Sequence, residues 1–270
     1  MKRVLKQGEP ASLQTYRQKQ SAATWEDMKT DALHGGQQAY RDIRKQTHQD
    51  QGGLCAYCEI DLHDHDRLKS QIEHFHPKSD ITMHHNWALD WNNMLAVCRG
   101  GSYKHHEAPH YMQPLKENLS CDAHKNHWIQ KGGLGEALEG LLLNPLLVPT
   151  RPSLFTINKF AGEISPCEVQ CNAVAPWPQN QYADVKTLVE KTIVVLNLNC
   201  RRLCEARLCV IRDIEQNKKK QREAGLTSQQ GLAALAQRYL RSPWPRFFTT
   251  ICLCLGSAAD AYLQENAYQG

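Results

Sequence analysis

The sequence predicts an α+β fold, in which a small metal-stapled core of turns and short strands is embedded in a mainly α-helical chain. Three observations predict it. Cysteines at Cys55 and Cys58, then at Cys98 and Cys121, alternate with strand-like and turn-like pieces between residues 55 and 125. Eleven of the 13 histidines lie between His63 and His127, a span that largely coincides with that window. On either side of it, apolar residues recur at helical spacing.

Taken in order, residues 1–20 are polar and read as an extended arm before a helix. Residues 21–50 are helical, with Ala22, Trp25, Met28 and Ala32 on one face. Gly35-Gly36 interrupts that face before Tyr40, Ile43 and Thr47 resume it. Gln51-Gly52-Gly53 ends the helix and delivers the chain to Cys55. Leu54 to Cys58 is a tight turn, since two cysteines two residues apart must face one ion. Residues 59–71 read as a loop and Ser70 to Phe75 as a short strand, and Pro77-Lys78-Ser79 then turns the chain. Trp91 to Cys98 reads as the start of a helix with Met94, Leu95 and Val97 inward. Arg99 to Ser120, rich in Gly, His and Pro, is an inserted surface loop between two of the cysteines.

Residues 134–148 suggest a short helix and an apolar connector ending at Pro149. Residues 150–180 are proline-rich, irregular, with a short hairpin. From Asp184 the pattern is helical through Val185, Leu188, Val189, Ile193, Val194 and Leu196. It continues through Leu203, Ala206, Val210 and Ile214. After a break at Gly225 and Thr227, a helix carries Leu232, Leu235 and Leu240, and a last apolar helix spans Phe247 to Tyr262. The chain thus divides into an arm with helices (1–50), a core with an inserted loop at 99–120 (51–130), and a helical region for partner or substrate binding (131–270).

Composition narrows the function classes. With 41% hydrophobic and 22% charged residues, the 270-residue chain is globular rather than disordered. Met1-Lys-Arg-Val-Leu-Lys is followed by no apolar run of signal-peptide length, and the stretches at 138–148 and 249–255 are too short to span a bilayer. A cytoplasmic protein with no membrane partner is expected. The 11 cysteines are then mostly reduced, which favours metal ligation over a disulfide framework. Cys200, Cys204, Cys209, Cys252 and Cys254 read as buried thiols, and Cys167 and Cys171 as core or surface thiols. Residues 201–223 carry eight Lys/Arg against four acids, which equals the whole net charge of +4. Such a helix fits a polyanion or an acidic partner, or is simply a solvated face.

A closed zinc site takes four soft ligands, commonly from two cysteine-bearing turns. Cys55 and Cys58 form the first turn, and Cys98 and Cys121 are assigned as a second pair split by the insertion. A thioredoxin-like redox pair would need alternating strands and helices around it, which the sequence lacks. Between the pairs stands Glu73-His74. Phosphodiester hydrolysis needs an activated water and a cation that stabilises charge on phosphate. An imidazole suits the first task and a carboxylate holding a hard ion such as Mg²⁺ the second. Adjacent strand residues point oppositely, so Glu73 and His74 need a strand end or bulge to serve one site.

Together these motifs resemble the HNH endonuclease family with its ββα-metal fold: Cys-Ala-Tyr-Cys-Glu, Ile-Glu-His-Phe-x-Pro-Lys-Ser, Trp-x-Asn-x-Leu-Ala-Val-Cys and Cys-Asp-x-x-Lys. Within that family they are similar to the PtuB-like proteins of Septu and retron anti-phage systems, over roughly the first half of the chain. The resemblance implies a structural Zn²⁺ on Cys55, Cys58, Cys98 and Cys121, and a catalytic Mg²⁺ or Mn²⁺. It implies His74 as general base, Glu73 as a ligand of the catalytic ion, and Asn93 as the residue that orders the loop across the motif. The residue after the last cysteine supplies another ligand. Here that is Asp122 by register, with His124 nearby, where many relatives carry His or Asn. Lys78, Lys125 and Arg99 are candidate phosphate contacts, as are Lys104 and the histidines of the inserted loop. The implied partners are a PtuA-like ATPase, a DNA or RNA substrate (tRNA included) and a retron's reverse transcriptase with its msDNA. The rival reading is a non-catalytic zinc-ribbon module that binds nucleic acid or protein, and it has no need of Glu73-His74.

Overall fold

After an extended arm over residues 1–10, three helices pack on one another: α1 (Ala11–Lys19), α2 (Trp25–Thr30) and α3 (Gly36–Asp50). The expected arm is therefore half as long, because Pro10 opens α1. Thr24 and Asp27 form a capping box that starts α2. Gly36 lets α3 begin hard against α2, since a Cβ there would stand 2.3 Å from the Met28 carbonyl oxygen. The computed structural model describes residues 1–62, 70–102, 116–241 and 243–270. Lys104, the histidines of the inserted loop and residues 63–69 lie outside the described residues.

The chain then makes the tight turn around Cys55 and Cys58, tied by a bridge between Leu54 and Asp61. Strand β1 (Ser70–His74) pairs antiparallel with β2 (Met94–Cys98), from Ser70 opposite Cys98 to His74 opposite Met94. The helix expected at Trp91–Cys98 is not formed. Asp90 caps a single 3-10 turn at Trp91–Asn93, and Met94 to Cys98 continue as strand. All five strand residues are buried, so both faces are apolar and the run has no alternation to separate strand from helix. Helix α4 (Cys121–Gln130) follows the insertion and packs on β2.

No helix forms at 134–148. Gly132, Gly133, Gly135 and Gly140 break the backbone there, and Leu138, Leu142 and Leu143 enter the core from turns. Gly140 is required, because a Cβ on it would meet the Gln179 carbonyl oxygen at 1.7 Å. The expected hairpin is β3 (Phe155–Ile157) with β4 (Ile164–Pro166), followed by the unforeseen α5 (Glu168–Ala173). Helices α6 (Val185–Val195), α7 (Arg201–Glu223) and α8 (Ser228–Tyr239) stand where periodicity put them. The last apolar stretch is two helices, α9 (Phe248–Leu255) and α10 (Ser257–Glu265), split at Gly256 with φ 57°.

The second half wraps the cysteine core. One buried cluster runs from Cys55, Tyr57 and Val97 through Leu143, Phe155 and Leu188 to Leu203 and Phe247. Glu59, next to Cys58, is buried and accepts from the Thr249 amide at 2.8 Å, which ties α9 to the first cysteine turn. Among the described residues no helix is long and apolar enough to cross a membrane. Cys209, expected buried, is exposed, and Cys252 is half-buried. Within α7, Arg202 and Arg207 are buried, so the helix shows solvent fewer cations than its sequence carries.

Candidate metal centre and catalytic cleft

Two sites meet at the first turn of α4. Cys121 has φ 54°, and its amide donates to the Leu196 carbonyl at 2.8 Å. That kink sends Cys121 to one site and Asp122 to the other.

In the first site, Cys55, Cys58, Cys98 and Cys121 are all buried and their sulfurs lie within 4.8 Å of one another. Cys55 and Cys121 are 4.0 Å apart, and Cys58 and Cys98 3.7 Å. A tetrahedron of ~2.3 Å zinc–sulfur bonds has edges of roughly 3.8 Å, so the set fits one tetrahedral ion. Backbone donors already face the sulfurs: the Cys98 amide reaches Cys55 Sγ and the Gly100 amide Cys98 Sγ, both at 3.3 Å. Burial holds the Cys58 and Cys121 thiols well above the ordinary range. Cys55 falls well below it despite burial, because Cys121, Cys58 and Cys98 donate to it.

The split second pair is closed by contacts at the insertion's two ends. The Ser120 amide donates to the Gly100 carbonyl at 2.9 Å. Gly100 has φ 60°, and a Cβ on it would meet the Ser120 carbonyl oxygen at 2.1 Å, so only glycine allows this pinch. Asn197, in the α6–α7 connection, donates to the carbonyls of Glu117 at 3.0 Å and Leu119 at 2.7 Å. The chain leaves at Cys98 and returns at Cys121 through one narrow neck.

The second site is a cleft of about 460 Å³ lined by Gln71, Glu73, His74, Lys78, Asp122, Lys125, Asn126, Ile129 and Glu136, among others. Gln71 and Glu73 alternate along β1 toward α4, while Asp122, Lys125, Asn126 and Ile129 follow helical spacing toward β1. Lys125 is buried, touches Glu73 Oε1, and lies 2.9 Å from Asp122 Oδ1. Gln71 Nε2 donates to Asp122 Oδ2. Burial pushes the Glu73 carboxyl up to about 8, against the pull of the Lys125 charge and with the help of Asp122. Burial also acts to raise Asp122, but Lys125 and the hydrogen bonds around it hold it below the usual range. Lys125 is raised, since its two carboxylates outweigh burial. Two oxygen ligands around a resident ammonium form a donor set that suits a hard cation.

His74 closes β1 and is among the residues that line the cleft, while its ring packs on the face of the strand opposite Glu73. Its Nε2 lies 3.2 Å from the Ala88 carbonyl oxygen. A carbonyl only accepts, so Nε2 carries the proton and Nδ1 keeps the lone pair in the neutral ring. Trp25 packs edge-on against the imidazole, with ring centres 4.5 Å apart. Burial pushes His74 down to about 4, which keeps it neutral near pH 7; the Ala88 acceptor opposes that shift. Asn93 is buried and clamps the following loop: Oδ1 accepts from the His76 amide at 2.6 Å, and Nδ2 donates to the carbonyls of His76 at 3.0 Å and Trp87 at 2.9 Å.

Not every predicted residue joins these sites. His124 points off the opposite face of α4 and donates through Nδ1 to the Val195 carbonyl at 2.8 Å, so it is not beside Glu73. Arg99 is exposed on the turn after Cys98, outside the cleft lining. Lys78 lines the cleft and pairs with Glu26 Oε1 at 3.1 Å. Sequence reasoning missed Gln71, Asn126, Trp25 and the Ala88 carbonyl. Gln71 was findable as the residue two before Glu73, and Asn126 as the one four after Asp122. Trp25 and Ala88 carry no local signal.

The fold and sites define a helix-rich α+β protein in which a four-cysteine cluster adjoins an acid–histidine cleft. No protein-family model matches the chain. Over 209 residues it is 35% identical to the Escherichia coli protein named "Retron Ec83 putative HNH endonuclease", covering 77% of this chain and 78% of that one. The chain belongs to the HNH endonuclease family.

Proposed function

We propose that the protein is a metal-dependent endonuclease that hydrolyses phosphodiester bonds of nucleic acid as the effector of a retron-type defence system. In this reading β1, β2 and α4 form the ββα-metal unit. The observation that carries it is the His74 ring, held neutral with Nε2 on the Ala88 carbonyl, at a residue that lines the same cleft as Glu73 and Asp122. His74 Nδ1 takes a proton from the attacking water. Glu73 and Asp122 are the residues that would hold a Mg²⁺ or Mn²⁺ ion, which would supply charge stabilisation on the phosphate and the leaving oxygen when bound. Asn93 fixes the loop that carries Ala88's neighbours and so orients His74. Lys78, at the cleft rim, contacts a phosphate of the substrate, and Lys125 yields its place between the carboxylates. The four cysteines hold a structural Zn²⁺ that fixes the start of α4. An ATPase partner of the PtuA kind licenses the activity.

The test is cleavage of plasmid DNA and of total tRNA by purified protein with Mg²⁺ or Mn²⁺, alone and with that ATPase. Wild type is expected to cut one substrate class. His74→Ala is expected to lose at least about 100-fold in rate, the scale of general-base catalysis, with zinc content and folding unchanged. Undiminished cutting by His74→Ala would overturn the assignment of the base.

A further inference from the structure

The sequence presents Arg202 as one cation of a basic helix, yet in the fold it is 0% exposed. It lies behind the cysteine cluster, where the α6–α7 connection meets the neck of the insertion. One guanidinium nitrogen donates to Ser120 Oγ at 2.6 Å, and Nε lies 3.5 Å from the Asn118 carbonyl oxygen. Ser120 Oγ in turn donates to Cys121 Sγ at 3.6 Å, and Ser120 is also fully buried. Space for the guanidinium is built in. A Cβ on Gly101, at φ 78°, would stand 2.9 Å from Arg202 Nε. A glycine in the first leg of the neck, a serine in its second leg and an arginine from a distant helix thus converge beside one metal ligand.

Four thiolates around one divalent ion leave a doubly negative unit in a dry interior, and burial of such charge is costly without a counter-charge. We propose that Arg202 is a positioning residue of the sulfur-bound metal: it neutralises the tetrathiolate and, through Ser120, orients Cys121, so that metal binding and docking of α7 are one event. Partners of this kind behind a metal ligand set its geometry and basicity, and losing one typically costs about 10- to 100-fold in affinity. Removing Arg202 should therefore weaken the cluster's hold on zinc although it is no ligand.

This inference rests on the reading of the cluster as a zinc site, and one experiment separates the two. Zinc affinity of the full chain is measured by competition with a chromophoric chelator for wild type, Ser120→Ala, Arg202→Lys and Arg202→Met. Cobalt absorption reports the thiolate geometry, and denaturant unfolding is followed with and without zinc. Wild type is expected to bind one equivalent. Arg202→Met is expected to bind about 10- to 100-fold more weakly, with Arg202→Lys, which keeps charge but not the fork, falling between. Ser120→Ala, which breaks the relay without unburdening the charge, is expected to lose several-fold. A packing role alone would lower the stability of zinc-free and zinc-loaded protein alike, whereas the proposed role narrows the gap between them. Where Arg202→Met does not fold, Ser120→Ala and Arg202→Lys decide. Wild-type affinity in both of those variants overturns the proposal, and a wild type that binds no zinc overturns the underlying reading.

Discussion

Cys121 and Asp122 are neighbours at the start of α4, yet they serve sites built on opposite principles. The cysteine cluster is sealed, with four buried sulfurs, amide donors on two of them and a guanidinium behind a third. The cleft meets solvent at its rim by Lys78, and its buried floor carries hard oxygen donors with a lysine standing between the carboxylates. Closed coordination suits a structural ion and an open position suits a catalytic one. A single turn of helix couples them, so the sealed site sets the geometry of the open one. Ligands of the first ion should therefore control folding, and residues of the second only chemistry.

The strongest way to break that contrast is Cys58→Ser. Structural zinc contributes about 10–16 kcal/mol in small domains, comparable to a protein's entire net stability of about 5–15 kcal/mol. The variant is expected to lose zinc, to melt at least about 10 °C lower and to lose cleavage. Calorimetry beside metal analysis checks it, and a variant that keeps its melting temperature would make the sealed site ornamental. His74→Ala is the opposite case, with chemistry lost and folding kept.

A smaller effect sharpens the description of the cleft. Burial raises Glu73 to about 8, so at lower pH its carboxyl is increasingly protonated and a cation must displace that proton. Apparent Mg²⁺ or Mn²⁺ affinity, read as the concentration giving half-maximal cleavage, is expected to strengthen from pH 6 to 8 by up to about tenfold per unit and to level off above 8. His74, pushed down to about 4, stays neutral across this range and adds no limb of its own. An affinity independent of pH would show that Glu73 is not the group displaced.

Sequence made the local parts legible and left the distant ones dark. The Cys55–Cys58 turn, β1 with its acid–histidine pair, and the helical register of α6 to α8 follow from neighbours within a few residues. Met94 to Cys98 was misread because burial on both faces erases the alternation that marks a strand. The leucines at 138–143 gave a helical pattern, but the glycines between them decided the backbone. His124 was drawn toward the cleft by proximity in sequence, whereas helical geometry turns it to Val195. Arg202 looked like surface charge, since only its packing on Gly101 and Ser120 shows what it faces. Asn197 and Glu59 act across 80 and 190 residues of chain, where no periodicity can point to them.

The most direct test of two sites with two roles is to dialyse the wild-type protein briefly against a chelator, then count its metal and assay cleavage with the proposed ATPase partner. One equivalent of zinc and the fold are expected to survive and cutting to stop, and added Mg²⁺ or Mn²⁺ is expected to restore it without adding zinc. Cleavage that persists with no free divalent ion, or that returns only with zinc, would contradict this division of roles.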